Sequence, residues 1–206
     1  AKINSLTNNT YLLIYSPKTF KDVKGHWAEE SINDMASRLV VSGTGNDKYE
    51  PDRDITRAEF AAIVVRALGL MRPGTGKDTF TDVTKGNWYY DAVSIACEYG
   101  IIYGYGDGKF GPDDSITREQ AMAIIARAME ITGLKVELAD GEADRLLGGF
   151  TDAGSAAEYA KANIAACVKA GIVSGRSEKL IAPKDNITRA EVAVIVQKLL
   201  RNSKLI

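Results

Sequence analysis

Histidine is almost missing from this chain, with His26 alone among 206 residues. Nucleophilic catalysis of the Ser-His or Cys-His kind needs a histidine oriented by a third group, and nothing marks His26 that way. Cysteine is nearly as scarce. Cys97 and Cys167, with one histidine, cannot supply the four nitrogen and sulfur ligands of a zinc site. Both lie on apolar helical faces, where a reduced, buried thiol is the expected state. No apolar run approaches the ~18 residues of a membrane span, so membrane insertion is not expected. An excess of one charge is also lacking. Lys and Arg total 26 against 27 Asp and Glu, a net charge of −1, which argues against binding nucleic acid through its phosphates. The stretch 106–114 is rich in glycine and acid, but Lys109 and Phe110 stand where a calcium loop needs oxygen ligands. The residues therefore call for no metal, no cofactor and no catalytic group. A hydrolase would need an acid and a base on facing walls of one cleft, and no such pair recurs.

What is present is repetition. Ile55-Thr56-Arg57-Ala58-Glu59 returns as Ile116-Thr117-Arg118-Glu119-Gln120 and as Ile187-Thr188-Arg189-Ala190-Glu191. Upstream of each copy lie, in order, Phe20 and Asp22, Phe80 and Asp82, and Phe150 and Asp152. Trp27, Trp88 and Tyr159 follow, then Gly43, Gly104 and Gly175, then Pro51, Pro112 and Pro183. The period is about 60–70 residues, longer than that of the common solenoids. Units this small fold marginally alone, so mutual packing is expected.

Apolar residues at helical spacing predict two helices per unit. The first helices are expected over 27–40, 88–99 and 159–170, and the second over 57–68, 118–130 and 189–200. Thr56 with Glu59, Thr117 with Gln120 and Thr188 with Glu191 have the spacing of capping boxes. Gln120 caps without charge, so a carboxylate at this position is not a shared catalytic or metal-binding feature. Between the units, 69–79 reads as a flexible turn. The segment 132–149 reads as a linker whose leucines dock on the body, with a helical turn around 141–147. Residues 10–15 read as a short strand or extended arm. The start at Ala1 fits a processed, secreted chain or a trimmed one.

Arg57, Arg118 and Arg189 each open a second helix, where the backbone dipole is already positive and a cation is unfavourable by about 0.3–1 kcal/mol. Three such costs imply an anion held jointly by the arginine and the helix start. The planar guanidinium fork matches a carboxylate. Gly43, Gly104 and Gly175 are expected at turns with positive φ, presenting bare backbone to a ligand. Trp27, Trp88 and Tyr159 are expected in the core, though a half-buried indole also offers a sugar a flat apolar face. Asp22, Asp82 and Asp152 are expected to cap local turns.

Three ordered copies of these elements, spanning about 20–200, resemble the S-layer homology family. The resemblance implies an all-α fold of three helix-loop-helix repeats arranged as a pseudo-threefold bundle, with the three first helices at its centre. It divides the chain into an arm (1–19), repeats at 20–70, 80–131 and 150–201 and a linker (132–149), the repeats forming one structural unit. It also implies non-covalent anchoring of a secreted surface protein to the cell wall. The implied partner is a secondary cell-wall polysaccharide linked to peptidoglycan and ending in pyruvylated N-acetylmannosamine, bound in grooves between repeats. The wall-polymer residues so implied are Arg57, Arg118 and Arg189, Gly43, Gly104 and Gly175, with Trp27, Trp88 and Tyr159. The second motif keeps its arginine but lacks the Ala-Glu pair, and the third loop departs furthest from the pattern, so its groove is expected to be the weakest. A protein–protein or self-assembly module is the alternative reading.

Overall fold

The computed structural model describes residues 15–206, and the expected strand or arm at 10–15 falls, apart from Tyr15, outside them. The chain is all-α. In order, the helices are α1 (Glu29–Ser37), α2 (Arg57–Ala67), α3 (Tyr90–Glu98), α4 (Arg118–Ile131), α5 (Glu142–Leu147), α6 (Glu158–Lys169) and α7 (Arg189–Asn202). Short 3-10 turns at Lys21–Val23 and Ala153–Ser155 add to them, and no strand occurs among the described residues. Trp27 and Trp88 precede their helices, whereas Tyr159 lies inside α6.

The second helices start where the capping boxes put them. Thr56, Thr117 and Thr188 accept the N3 backbone N–H, and Glu59, Gln120 and Glu191 accept the threonine N–H. The next two donors of each helix are taken by the following repeat in a cycle. Arg57 and Ala58 N–H donate to the carbonyls of Asp114 and Pro112, at 2.9 and 3.0 Å. Arg118 and Glu119 donate to Asp185 and Pro183, and Arg189 and Ala190 donate to Arg53 and Pro51. The helix starts therefore have no donor left for an external anion, which corrects the expectation from the dipole. Their orphan N–H groups are satisfied by the neighbouring repeat.

Ile55, Ile116 and Ile187 close a ring of backbone bonds. Ile55 N–H donates to Ile187 O (3.1 Å), Ile187 N–H to Ile116 O (3.0 Å) and Ile116 N–H to Ile55 O (3.3 Å). All three side chains are fully buried. Around this ring the second helices, not the first, take the inner position, contrary to the expected bundle. α7 packs against both α2 and α4, while each first helix lies on the second helix of the preceding repeat: α3 on α2, α6 on α4 and α1 on α7. The reason is in the side chains. α2 buries Phe60, Ala61, Ala62, Ile63, Val64 and Val65 almost all round, whereas α1 buries one stripe of Ile32, Met35 and Ala36; α3, with Ala92, Val93, Ser94, Ile95 and Ala96 buried, is the most enclosed of the first helices. One apolar core runs through all three units.

The leucine-bearing linker docks as expected. α5 packs on α6, Leu147 is buried, and Leu134, Val136, Leu138 and Leu146 pack against the core. The 69–79 segment is held rather than loose. Asp91 accepts from Gly74 N–H (2.7 Å) and Gly76 N–H (2.8 Å), and Ser94 Oγ accepts from Lys77 N–H.

Candidate functional site: three inter-repeat grooves

The repeated residues come together across repeats, not within them. Arg57 lines a groove with Gly104 and Tyr159, Arg118 with Gly175 and Trp27, and Arg189 with Gly43 and Trp88. Each groove thus takes its arginine from one repeat, its loop and second helix from the next, and its aromatic from the third. A basic residue further along the second helix, Arg127, Lys198 or Arg66, lines the same grooves. Sequence reasoning passed over these three, although their shared offset from the motif arginines was a visible signal.

The loop of each groove is anchored by the Phe-x-Asp element. Asp22 accepts from Tyr49 and Glu50 N–H, Asp82 from Phe110 and Gly111 N–H (both 2.8 Å), and Asp152 from Ile181 and Ala182 N–H. These aspartates cap backbone some thirty positions away, so the expected local turns are corrected to a longer tether within each repeat. Burial opposes ionisation of Asp22 and Asp82, but the backbone donors outweigh it and hold both carboxyls below their ordinary value.

The loop glycines are required for a reason other than the expected one. Gly43, Gly104 and Gly175 are not among the residues with positive φ. A Cβ on Gly104 would sit 2.5 Å from both Lys109 O and Phe80 Cε1, and one on Gly43 would sit 2.6 Å from Lys48 O and 2.7 Å from Phe20 Cε1. The phenylalanine of Phe-x-Asp closes on the loop where a side chain would otherwise stand.

Trp27, Trp88 and Tyr159 are 65%, 64% and 57% exposed, so of the two readings of these aromatics the core position fails and the exposed face remains. Their flat faces stand at the groove walls, because the ring of second helices already fills the interior.

The arginines are nearly buried. Each uses its fork on the next repeat's loop: Arg57 Nε and Nη2 on Phe110 O (2.8 Å) and Tyr103 O (3.0 Å), Arg118 on Ile181 O and Ser174 O, Arg189 on Tyr49 O and Ser42 O. Arg189 and Arg57 also lie over the rings of Tyr49 and Tyr105, each at 4.5 Å. Two of the three find a counter-charge in the neighbouring capping box. Arg118 Nη1 meets Glu191 at 2.8 Å and Arg189 Nη1 meets Glu59 at 3.1 Å. Those carboxylates also receive Arg176 and Arg53. Burial disfavours charge on Glu59 and Glu191, but the arginine hydrogen bonds and charges, with the threonine N–H, hold both below their ordinary value.

A family model described as the S-layer homology domain matches this chain at residues 19–61, 79–122 and 149–193. The chain is similar to an amylopullulanase of Thermoanaerobacterium thermosulfurigenes, 39% identical over 97% of this chain and 10% of that protein. It is similar to the exoglucanase XynX of Acetivibrio thermocellus, 39% identical over 90% of this chain and 16% of that protein. It also resembles the surface-layer 125 kDa protein of Lysinibacillus sphaericus, 31% identical over 89% of this chain and 15% of that protein. The chain therefore spans only 10% to 16% of the length of these relatives.

Proposed function

The chain belongs to the S-layer homology domain family, and from that premise we propose that it anchors a larger protein to the bacterial cell wall. The region acts without catalysis, by binding secondary cell-wall polymer in its inter-repeat grooves. Relatives named as glycan-degrading enzymes and relatives named as surface-layer or cell-wall proteins share this region over a small part of their length. A common attachment role fits both kinds, with any enzymatic activity belonging to the rest of the chain. Such a role puts the protein at the cell surface.

One observation carries this reading: a large aromatic left more than half in water over a bare-backbone loop, at the same place in three grooves. Indole and phenol faces exposed beside polar edges suit the apolar face of a sugar ring. The wall residues are Trp27, Trp88 and Tyr159. Gly43, Gly104 and Gly175 bring backbone close to the ligand, and Arg57, Arg118 and Arg189 fix the loops and supply positive potential. The ligand is a terminal N-acetylmannosamine carrying a pyruvate ketal, whose carboxylate matches a cationic groove. Several grooves engaged on one polymer would add avidity without new contacts.

Calorimetric titration with purified wall polymer, before and after mild acid removal of ketal pyruvate, tests this. Binding that is lost with the pyruvate supports the full reading. Binding that survives keeps the anchor and rejects the pyruvate. No binding rejects the anchor.

A further inference from the structure

The units of packing are offset from the units of sequence. α2 pairs with α3 and α4 with α6, and in both cases the chain leads from the second helix of one repeat on to its partner. The third pair, α7 and α1, has no such connection, because α1 precedes all the other helices and α7 follows them. At this one place the ring is closed by non-covalent contacts alone. The piece that closes it is 20–54. Its α1 lies on α7, and its loop gives Tyr49 O and Ser42 O to Arg189 at 2.8 and 2.7 Å. The carbonyls of Arg53 and Pro51 then take the first N–H groups of α7.

The α1–α7 seam keeps an apolar stripe but adds a polar latch. Gln197, 4% exposed, accepts from Ser31 Oγ at 2.8 Å and donates from Nε2 to Asp34 Oδ2 at 2.6 Å. The same positions on α2 and α3 hold Val65, Ala92 and Ile95, all buried. On α4 and α6 they hold Ala126, Asn163 and Ala166, and Asn163 donates to Tyr159 O of its own helix. Water offers Ser31, Asp34 and Gln197 equivalent hydrogen bonds, so parting them loses little, whereas parting apolar faces loses their burial. The outer face of α1 is also less firmly held. Asn33 stands where Ser94 takes the Lys77 N–H, and its buried Oδ1 has no partner among the described residues. Leu39 and Glu50 hold φ of 61° and 58°, where the second repeat has Gly100 and Gly111 and the third Gly171 and Ala182. Strain at both is relieved when the piece comes free.

We propose that 20–54 is a detachable closing piece whose seating on α7 completes two grooves at once. The Arg118 groove takes Trp27 from it, and the Arg189 groove takes Ser42, Gly43 and Thr44. The Arg57 groove takes nothing from it, being lined by residues between Arg57 and Tyr159. In the minor, open state α1 has left α7 while the body from α2 to α6 stays packed. A ligand in either dependent groove binds only the closed ring, so it holds the piece down and favours binding in the other. The Arg57 groove stands outside this coupling. The coupling rests on the wall-polymer reading; the opening itself does not.

Native-state hydrogen exchange of the whole chain tests both. α1 and α3 are each nine residues long, so fraying affects them alike. An undocked helix of that length does not hold itself in water, so opening exposes the α1 amides. They are expected to exchange roughly tenfold or more faster than those of α3. Gln197→Ala is expected to widen the gap by speeding α1 alone. Ser31→Ala with Asp34→Ile and Gln197→Val installs the residues of the α2–α3 seam and is expected to narrow it. Equal protection of α1 and α3 in the wild type, or a Q197A variant that speeds both helices together, overturns the opening. Saturating purified wall polymer is expected to slow α1 roughly tenfold and leave the gap closed. Polymer that binds without slowing α1 overturns the coupling while the anchor stands. Polymer that does not bind overturns the anchor and the coupling together, and the α1–α3 comparison still decides the opening.

Discussion

Leu39 occupies the place that Gly100 and Gly171 hold in the other repeats, at the end of a first helix. It adopts φ 61° where they adopt 67° and 68°. A left-handed leucine costs roughly 1–2 kcal/mol in backbone strain, and its side chain is 52% exposed, so little burial compensates. Leu39→Gly is expected to raise stability by about 0.5–1 kcal/mol, after the entropy that glycine loses on folding. A denaturant midpoint at or below that of the wild type would refute it. The reverse logic applies at Gly104, where φ is ordinary but a Cβ meets Lys109 O and Phe80. Gly104→Ala is expected to cost about 1–3 kcal/mol in the same titration, the usual range for overpacking.

At the scale of elements, the second helix does three jobs from one short motif. Its threonine caps it, its arginine reaches the next repeat's loop, and its glutamate receives the previous repeat's arginine. Losing the cap alone, as in Thr188→Ala, is expected to cost about 1 kcal/mol. Losing the carboxylate strands a buried cation, so Glu191→Ala is expected to cost roughly 3 kcal/mol, well beyond a cap. Chemical denaturation of both variants separates the two. The same carboxylates set an acid limit. The folded chain holds Glu59 and Glu191 below their ordinary value of 4.5, so they stabilise it above that pH. That stabilisation is lost as pH falls through their lowered folded pKa values. Circular dichroism against pH is expected to show weakening below about pH 4.5, with a shallower acid limb in Glu191→Gln.

For the whole molecule, the bonds run from the first repeat to the second, the second to the third and the third back to the first. Opening such a ring leaves unmet partners on both sides of the cut. Deleting residues 150–206 removes the carbonyls and Glu191 that Arg118 uses, and removes the Arg189 that ties down the first loop. The remaining two repeats are expected to lose cooperative folding altogether, seen as the absence of a sharp thermal transition where the full chain shows one. A well-folded two-repeat fragment would mean that the ring is dispensable.

The helices, their capping boxes and the recurrence of arginine, glycine and aromatic were legible along the chain. Each of those is a local matter of period, side-chain reach to nearby backbone, or copying. It also held Gln120 where the other two copies have glutamate, read there as a cap without charge. Which copies meet emerges only on folding, because a groove draws on residues from three repeats and no spacing encodes a partner in another unit. Folding chose between the two readings of the aromatics, since the second helices fill the centre and leave Trp27, Trp88 and Tyr159 outside. It also changed what the arginines answer to. The helix-start donors are taken by the neighbouring repeat, two of the guanidiniums pair directly with an internal carboxylate, and Arg57 feels Asp114 and Asp82 only at a distance.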